Sequence, residues 1–125
     1  MIYTNNSEYK VKFYKNSKTR RSPVLEYIDN LSEKDRAKIL KYIDFLREHK
    51  GYLDEPYSKH IKGKIRELRV DFTRRRHRIL YFTFIRQTII LLHAFLKRTA
   101  KTPDIEIKRA EENYNDVLNN KEIYE

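Results

Sequence analysis

The 125-residue sequence contains no cysteine, no tryptophan, two glycines and three prolines. The absence of cysteine excludes disulfide bonds and thiolate catalysis, so the fold needs no oxidising compartment. The scarcity of glycine leaves no room for a glycine-rich phosphate-binding loop, and the low glycine and proline content excludes a linker-rich chain. The length suits a single domain, and sixteen aromatic residues, ten of them tyrosine, can fill its core.

Long apolar runs are also missing from the sequence. The longest is interrupted by His93 and Arg86, and none reaches the length of a membrane span. The segment Met1–Ser7 lacks the basic and apolar regions of a signal peptide. We therefore expect a cytoplasmic protein that has no membrane partner.

Acidic residues are scarce in one third of the chain. Between Lys59 and Lys101 there are thirteen Lys or Arg and only two acids, Glu67 and Asp71, which gives a local charge of +11. The net charge of the whole chain is +10, so this stretch carries all of the excess. Such a concentration of positive charge costs self-repulsion, and its usual partner in a protein of this size is nucleic acid.

Hydrophobic periodicity predicts an α+β fold, in which helices pack on an antiparallel sheet in the order strand, helix, helix, three strands, helix. Ser22-Pro23, Ser32 and Gly51 are typical helix boundaries, and we expect the Thr102-Pro103-Asp104 sequence to cap the last helix. The expected strands are 9–15, 65–72, 78–84 and 88–96, the helices are 23–30, 32–50 and 104–119, and the connection is 52–63. Within a single domain, residues 1–8 are expected to form a flexible arm, 9–119 the folded part and 120–125 a tail.

The densest basic cluster is the predicted turn Thr73–Arg78. A turn of this kind can simply keep a protein soluble, but four arginines in five positions cost repulsion that mixed charges would avoid. The planar guanidinium group of arginine can also donate two hydrogen bonds to one phosphate and can stack on bases. We therefore predict an RNA-binding patch formed by the turn and the neighbouring strand, comprising Lys62, Lys64, Arg66, Arg74, Arg75 and Arg76.

Arg69 and Arg78 lie within predicted strands, and His93 interrupts an apolar one. An arginine in a strand often forms a cross-strand ion pair, here with Glu67 or Asp71. Arg69 is the stronger functional candidate because its side of the strand is otherwise polar. His93 is either a hydrogen-bonded core residue or a proton carrier beside the cationic pair Lys97-Arg98.

No metal site or hydrolytic triad is visible in the sequence. The four histidines lack ligand spacing and no acid cluster accompanies them, so we expect neither a metal nor another cofactor. Metal-free cleavage of RNA is possible, since the 2′-hydroxyl of RNA supplies the nucleophile and cations stabilise the transition state. Arginine is essentially never neutral, which leaves His93, Lys97 or Tyr81 as the proton acceptor.

Three segments together resemble the phage-derived HigB-type toxins of the RelE superfamily. They are Glu67-Leu-Arg69, Arg78-Ile-Leu-Tyr81, and Ile90–Thr99 with Pro103 four residues further on. The match is strongest over residues 61–110, although Arg66 stands where relatives often carry an aromatic residue. The resemblance implies a RelE-like fold and places the candidate catalytic residues at Arg69, Arg78, Lys97 and Arg98, to which the histidine argument adds His93.

The resemblance also implies an activity. It implies the toxin of a type II toxin–antitoxin pair, a ribosome-dependent mRNA endoribonuclease that enters the ribosomal A site. Its partner would be a HigA-type antitoxin with a helix-turn-helix domain. A non-catalytic RNA- or ribosome-binding module is the alternative. A DNA-binding regulator is less favoured, since the sequence has no obvious basic recognition helix.

Overall fold

The computed structural model of the protein describes residues 8–84 and 86–125. Apart from Glu8, the expected N-terminal arm lies outside these residues. The elements, in chain order, are β1 (Lys10–Phe13), α1 (Pro23–Asp29), α2 (Glu33–Glu48), β2 (Ser58–Lys62), β3 (Ile65–Asp71), β4 (Arg76–Phe84), β5 (Thr88–Leu96) and α3 (Asp104–Asn119). The α+β class and the predicted order are confirmed, with β2 as an additional strand.

The five strands form one mixed sheet in the order β1-β5-β4-β3-β2. Each strand from β2 to β4 pairs with the next one in antiparallel fashion, whereas β1 pairs in parallel with β5. The expectation of a wholly antiparallel sheet is therefore wrong for β1. After the two helices the chain enters the opposite edge at β2, and the antiparallel strands lead back across the sheet until β5 lies beside β1 in the same direction. β2 was missed because Ser58–Lys62 has only one large apolar residue, Ile61, and forms an edge of the sheet.

Helices cover both faces of the sheet. α1 and α2 pack on one face against Leu68, Val70 and Ile79, and we call it the α2 face. α3 packs on the opposite face, the α3 face, through Ala110 and Val117. β4 and β5 are buried on both faces, as their continuous apolar sequences predicted.

The helix boundaries follow the sequence with some corrections. Pro23 opens α1 and the Ser32 hydroxyl accepts a hydrogen bond from the Asp35 amide. Thr102 does not cap α3, because Pro103 occupies that position. α2 ends at Glu48 with His49 as its C-cap, so the expected boundary at Gly51 is too late by two residues. Some large apolar side chains of the helices, including Leu40 and Phe45 of α2 and Ile105 of α3, are exposed.

The C-terminal segment is anchored to the rest of the domain. Residues 121–123 form a short 3-10 helix after α3, and the following Tyr124 is buried. The Tyr124 hydroxyl accepts from the Lys15 amide at 2.9 Å and donates to the Lys15 carbonyl at 3.1 Å. Residues 120–125, expected as a tail, therefore join the C-terminus to the loop after β1.

Candidate functional site

Two predicted catalytic arginines meet a buried carboxylate on the α3 face. Arg69 and Arg78 are directly opposite each other in the pairing of β3 with β4. Glu67 lies two residues before Arg69 and therefore on the same face of β3. The Arg69 Nε donates to Glu67 Oε1 at 3.1 Å, and the Arg78 Nε lies 3.8 Å from the same oxygen. The Glu67 side chain has no exposed surface, whereas 19% of the Arg69 side chain is exposed.

Two further side chains complete these contacts. The Thr102 hydroxyl donates to Glu67 Oε2 at 2.5 Å, which joins the segment before α3 to β3. The Arg78 Nη1 contacts Asp71 Oδ1 at 2.5 Å, and the Asp71 side chain is half exposed. Both arginines therefore form the strand ion pairs that the sequence offered as the structural alternative.

Lys97 lies at the edge of the same arrangement. It follows β5, and its amide donates to the Arg76 carbonyl at 2.8 Å, which places it beside the start of β4. Its side chain is nearly buried. Burial lowers the pKa of Lys97; the Glu67 carboxylate opposes this shift, and Arg78, Arg69 and Lys59 add to it. We call Glu67, Arg69, Arg78, Lys97 and Thr102 the Glu67 cluster.

The Glu67 cluster combines positive charge with an unsatisfied donor. It holds three cations and one carboxylate, and Asp71 adds a second negative charge beside Arg78. Among the described residues, the buried Arg78 Nε has no hydrogen-bond partner. Buried polar groups without partners are uncommon in folded proteins, and an anion is the ligand that such a group would accept. An anion that displaced the half-exposed Asp71 would contact the Nη1 atom of the same guanidinium.

The structure does not bring His93 and Arg98 into this cluster. The His93 Nε2 lies 2.7 Å from Glu106 Oε1 of α3, and the ring stacks on Phe95 at 5.8 Å. His93 thus has the hydrogen-bonded position that the sequence offered as the alternative. Arg98 is exposed and lies toward the other face of the sheet, where burial raises the pKa of Tyr27 of α1 and the charge of Arg98 opposes that rise.

The six predicted RNA-binding residues do not form a single patch. Arg66 faces the α2 face and contacts Tyr52, whereas Lys62 pairs with Glu111 of α3 at 2.9 Å. Arg75 forms two hydrogen bonds of 2.7 Å with Asp35. Exposed positions are occupied by Lys64 in the β2–β3 turn, Arg74 before β4 and Arg76 at its first residue.

A buried hydrogen-bonded chain on the α2 face was not predicted. The His77 Nε2 lies 2.8 Å from Asp35 Oδ2, and its Nδ1 lies 2.8 Å from the Tyr27 hydroxyl. The hydrogen bonds from Arg75, and to a smaller extent the one from His77, hold the pKa of Asp35 well below its usual range. Burial raises the pKa of Tyr27 to about 12. We call Tyr27, Asp35, Arg75 and His77 the Asp35 chain.

One of the missed residues carried a signal in the sequence. Glu67 is one of only two acids in the basic stretch and shares strand parity with Arg69, which indicates a charge partner. Thr102 and Asp35 carried no such signal, because both lie in helix-start sequences where capping and favourable dipole contacts explain them.

The fold and the Glu67 cluster together define a class of protein. A mixed sheet with two helices on one face and one on the other, bearing a cationic cluster at strand ends, is compatible with a RelE-like fold. Residues 26–115 match the family described as "Phage derived protein Gp49-like (DUF891)", so the chain belongs to that family. The family is RelE-like and is associated with toxin-like proteins of phage origin.

Two further findings bear on identity. A search of curated proteins found no significant match to the chain. Within residues 8–84 and 86–125, every helix is too short or too polar to cross a membrane.

Proposed function

We propose that the protein is the toxin of a type II toxin–antitoxin system and cleaves mRNA within the ribosomal A site. The observation that carries the proposal is the convergence of Arg69, Arg78 and Lys97 around Glu67 in a chain of a toxin-like family. These are three of the four cations that the resemblance to HigB-type toxins assigns to cleavage, the fourth being Arg98. The net charge of +10 suits both ribosomal RNA and an acidic antitoxin of the HigA type.

The proposed reaction uses the nucleophile of the RNA itself. The 2′-oxygen attacks the adjacent phosphorus as its proton passes to a base, and negative charge accumulates on the phosphorane oxygens. The bond to the 5′-oxygen then breaks, which leaves a 2′,3′-cyclic phosphate and a 5′-hydroxyl that takes its proton from water. Arg69 and Arg78 would stabilise that charge once the phosphate displaces Asp71 from Arg78. The reaction requires no metal ion, because the attacking and stabilising groups are all present in the RNA and the cluster.

Lys97 is the proton acceptor that the contacts favour. Its lowered pKa makes the neutral amine more accessible, so the amine can take the proton of the 2′-hydroxyl. His93 is engaged by Glu106 outside the cluster. Tyr81 is buried, its pKa is raised by burial, and its hydroxyl donates to the Gly51 carbonyl at 3.0 Å.

The ribosome would supply what the cluster lacks. Arg69 and Arg78 are held by carboxylates, and a free RNA chain rarely adopts the in-line geometry that the reaction needs. An mRNA fixed in the A site would present its phosphate in that geometry. We therefore propose that naked mRNA is a poor substrate.

Induction of the protein in bacteria tests the proposal. We expect growth arrest together with new transcript ends inside translated codons, and a weaker effect of Lys97→Met at equal soluble expression. Normal growth with intact transcripts at confirmed expression would contradict the proposal.

The second candidate is a non-catalytic RNA- or ribosome-binding module. The observation in its favour is that both arginines of the cluster already have carboxylate partners in the protein. Growth inhibition without transcript cleavage, unaffected by Lys97→Met, would support this candidate instead.

A further inference from the structure

An aromatic groove lies on the α2 face, between the C-terminal half of α2 and the segment before β2. Its volume is about 510 Å³, and Tyr42, Phe45, Tyr52 and Tyr57 supply its rings. Tyr42 stands edge-on to Tyr57 and is tilted by 43° relative to Phe45, with ring centres 6.0 Å apart in each pair. Tyr52 is 57% exposed and Tyr57 49%, so these rings offer apolar surface to a ligand.

Cations lie beside the rings of this aromatic groove. The Arg66 guanidinium is 4.6 Å from the centre of the Tyr52 ring, and the Lys38 and Lys41 ammonium groups lie 5.6 and 5.8 Å from Tyr42 and Phe45. One acidic residue, Asp54, also lines the groove. The positive charge at the rim therefore favours a ligand that is anionic as well as aromatic.

A basic channel adjoins the aromatic groove and shares Tyr52 with it. The channel has a volume of about 400 Å³ and is lined by Lys50, His60, Lys64 and Arg66. An extended strand of nucleic acid would match both surfaces, because a row of phosphates runs beside a row of aromatic bases. The shared residue Tyr52 places the two kinds of surface next to each other.

Arg66 is held in position between the two surfaces. Its Nε donates to the Ser58 hydroxyl at 3.1 Å, and the hydroxyls of Ser58 and Tyr81 are 2.8 Å apart in the buried interior. Tyr81 in turn donates to the Gly51 carbonyl. A guanidinium fixed in this way loses little conformational freedom on binding, which favours stacking and phosphate contact over a transient surface charge.

From these observations we infer that the aromatic groove and the basic channel together form a binding site for single-stranded RNA. Unpaired bases stack on Tyr52 and Tyr57, and the backbone phosphates contact Lys50, Lys64 and Arg66. The site is on the α2 face, whereas the Glu67 cluster is on the α3 face. The inference extends the proposed function to a second surface and does not depend on the cleavage reaction.

Fluorescence anisotropy with a fluorescein-labelled 2′-O-methyl RNA of roughly ten nucleotides tests the inference. The methyl group blocks the 2′-oxygen, so binding is measured without cleavage. We expect Tyr52→Leu and Tyr57→Leu each to weaken binding by roughly fivefold to a hundredfold, because a stacked base is lost. Tyr52→Phe keeps the ring and should bind like the wild type.

Salt dependence separates stacking from phosphate contact. Lys64→Gln should reduce the slope of log K against log salt by about 0.7, whereas Tyr52→Leu should leave that slope unchanged. Leu40→Ala removes an exposed apolar side chain of α2 outside the groove and serves as the matched control. Circular dichroism and thermal unfolding confirm that each variant is folded.

Two results would overturn the inference. One is wild-type affinity in both tyrosine-to-leucine variants, and the other is equally tight binding of a double-stranded RNA whose bases are unavailable for stacking. Loss of binding to an acidic helix-turn-helix protein in the same variants, with RNA affinity unchanged, would assign the groove to a protein partner instead. Ribosome-dependent cleavage can fail while this RNA binds, so the two proposals fail separately.

Discussion

Lys97 is the residue whose surroundings bear most directly on the proposed chemistry. An ammonium group that is nearly buried beside two guanidinium groups is disfavoured in its charged form, and only Glu67 opposes this effect. The same lysine can stabilise a phosphorane when protonated or accept a proton when neutral. These two roles require different variants to separate them.

Lys97→Arg retains the positive charge but removes a group that can lose a proton, and Lys97→Met removes both properties. If proton transfer is the role of Lys97, we expect both variants to bind ribosomes normally and to cleave bound mRNA on the order of 100-fold more slowly. Single-turnover cleavage at saturating protein gives this rate. Near-normal cleavage by Lys97→Arg, with a slow Lys97→Met, would assign the residue an electrostatic role only.

Asp35 provides a second prediction at the residue scale. Its carboxylate is nearly buried and accepts hydrogen bonds from Arg75 and His77, so its pKa in the folded protein is lower than in the unfolded chain. The resulting stabilisation is present above the unfolded pKa of about 3.9 and is lost as the pH falls below it. Asp35→Asn should therefore be destabilised by about 3 kcal/mol at neutral pH.

Chemical denaturation at several pH values checks the Asp35 prediction. The free energy of unfolding of the wild type should fall toward that of Asp35→Asn as the pH decreases below about 4. Asp44→Asn removes an exposed carboxylate paired with Arg47 and should leave stability nearly unchanged. A constant difference between wild type and Asp35→Asn across this range would contradict the pKa argument.

Among the elements, the end of α2 depends on a glycine for two separate reasons. Gly51 has a φ of +84°, and a Cβ there would lie 2.5 Å from the Thr83 hydroxyl oxygen. Gly63 in the β2–β3 turn has a φ of +56° but no atom within 4 Å of an added Cβ. The two positions therefore separate backbone strain from steric overlap.

Gly63→Ala should lose about 1–2 kcal/mol of stability because it forces alanine into the left-handed region. Gly51→Ala should lose more, since Thr83 of β4 must also move. Thermal or chemical unfolding of the two variants gives the comparison. Equal losses would mean that Thr83 relaxes without cost.

Much of the element order could be predicted from sequence, for reasons that are local. Pro23 and Ser32 act within their own segments, through a fixed backbone angle and a side-chain cap, and the apolar residues of β4 and β5 are buried whatever lies on either face. The edge strands were harder to predict. The parallel pairing of β1 with β5 depends on residues far apart in sequence, and β2 has too few apolar residues to show a period of two.

For the molecule as a whole, charge predicted the presence of a cationic surface but not its distribution. Side-chain alternation along β3 sends Arg66 to the α2 face and Arg69 to the α3 face, so one basic stretch forms two separate surfaces. Arg75 pairs with Asp35, forty residues earlier, and no local pattern indicates that contact. Local charge therefore located the basic region, whereas long-range pairing determines which cations are available to a ligand.

Arg74 in the β3–β4 turn and Arg76, which pairs with Asp71 at the start of β4, are exposed and should contribute phosphate contacts. Arg74→Ala and Arg76→Ala should each weaken ribosome association and reduce the salt slope by about 1, without changing the cleavage rate of bound mRNA. Lys18→Ala, an exposed cation outside the basic stretch, is the matched control. Sedimentation of ribosomes at increasing salt measures the association. Unchanged slopes in both arginine variants would contradict this contribution.

Ribosome-dependent cleavage of mRNA is tested most directly by comparing one mRNA in two states at equal protein concentration. The wild-type protein is mixed with naked mRNA and with the same mRNA positioned in purified ribosomes with an empty A site, and the 5′ ends of the products are mapped. We expect rapid cleavage inside the A-site codon on the ribosome and slow cleavage of the naked strand. Equal cleavage of both, or cleavage of neither by a folded protein, would contradict it.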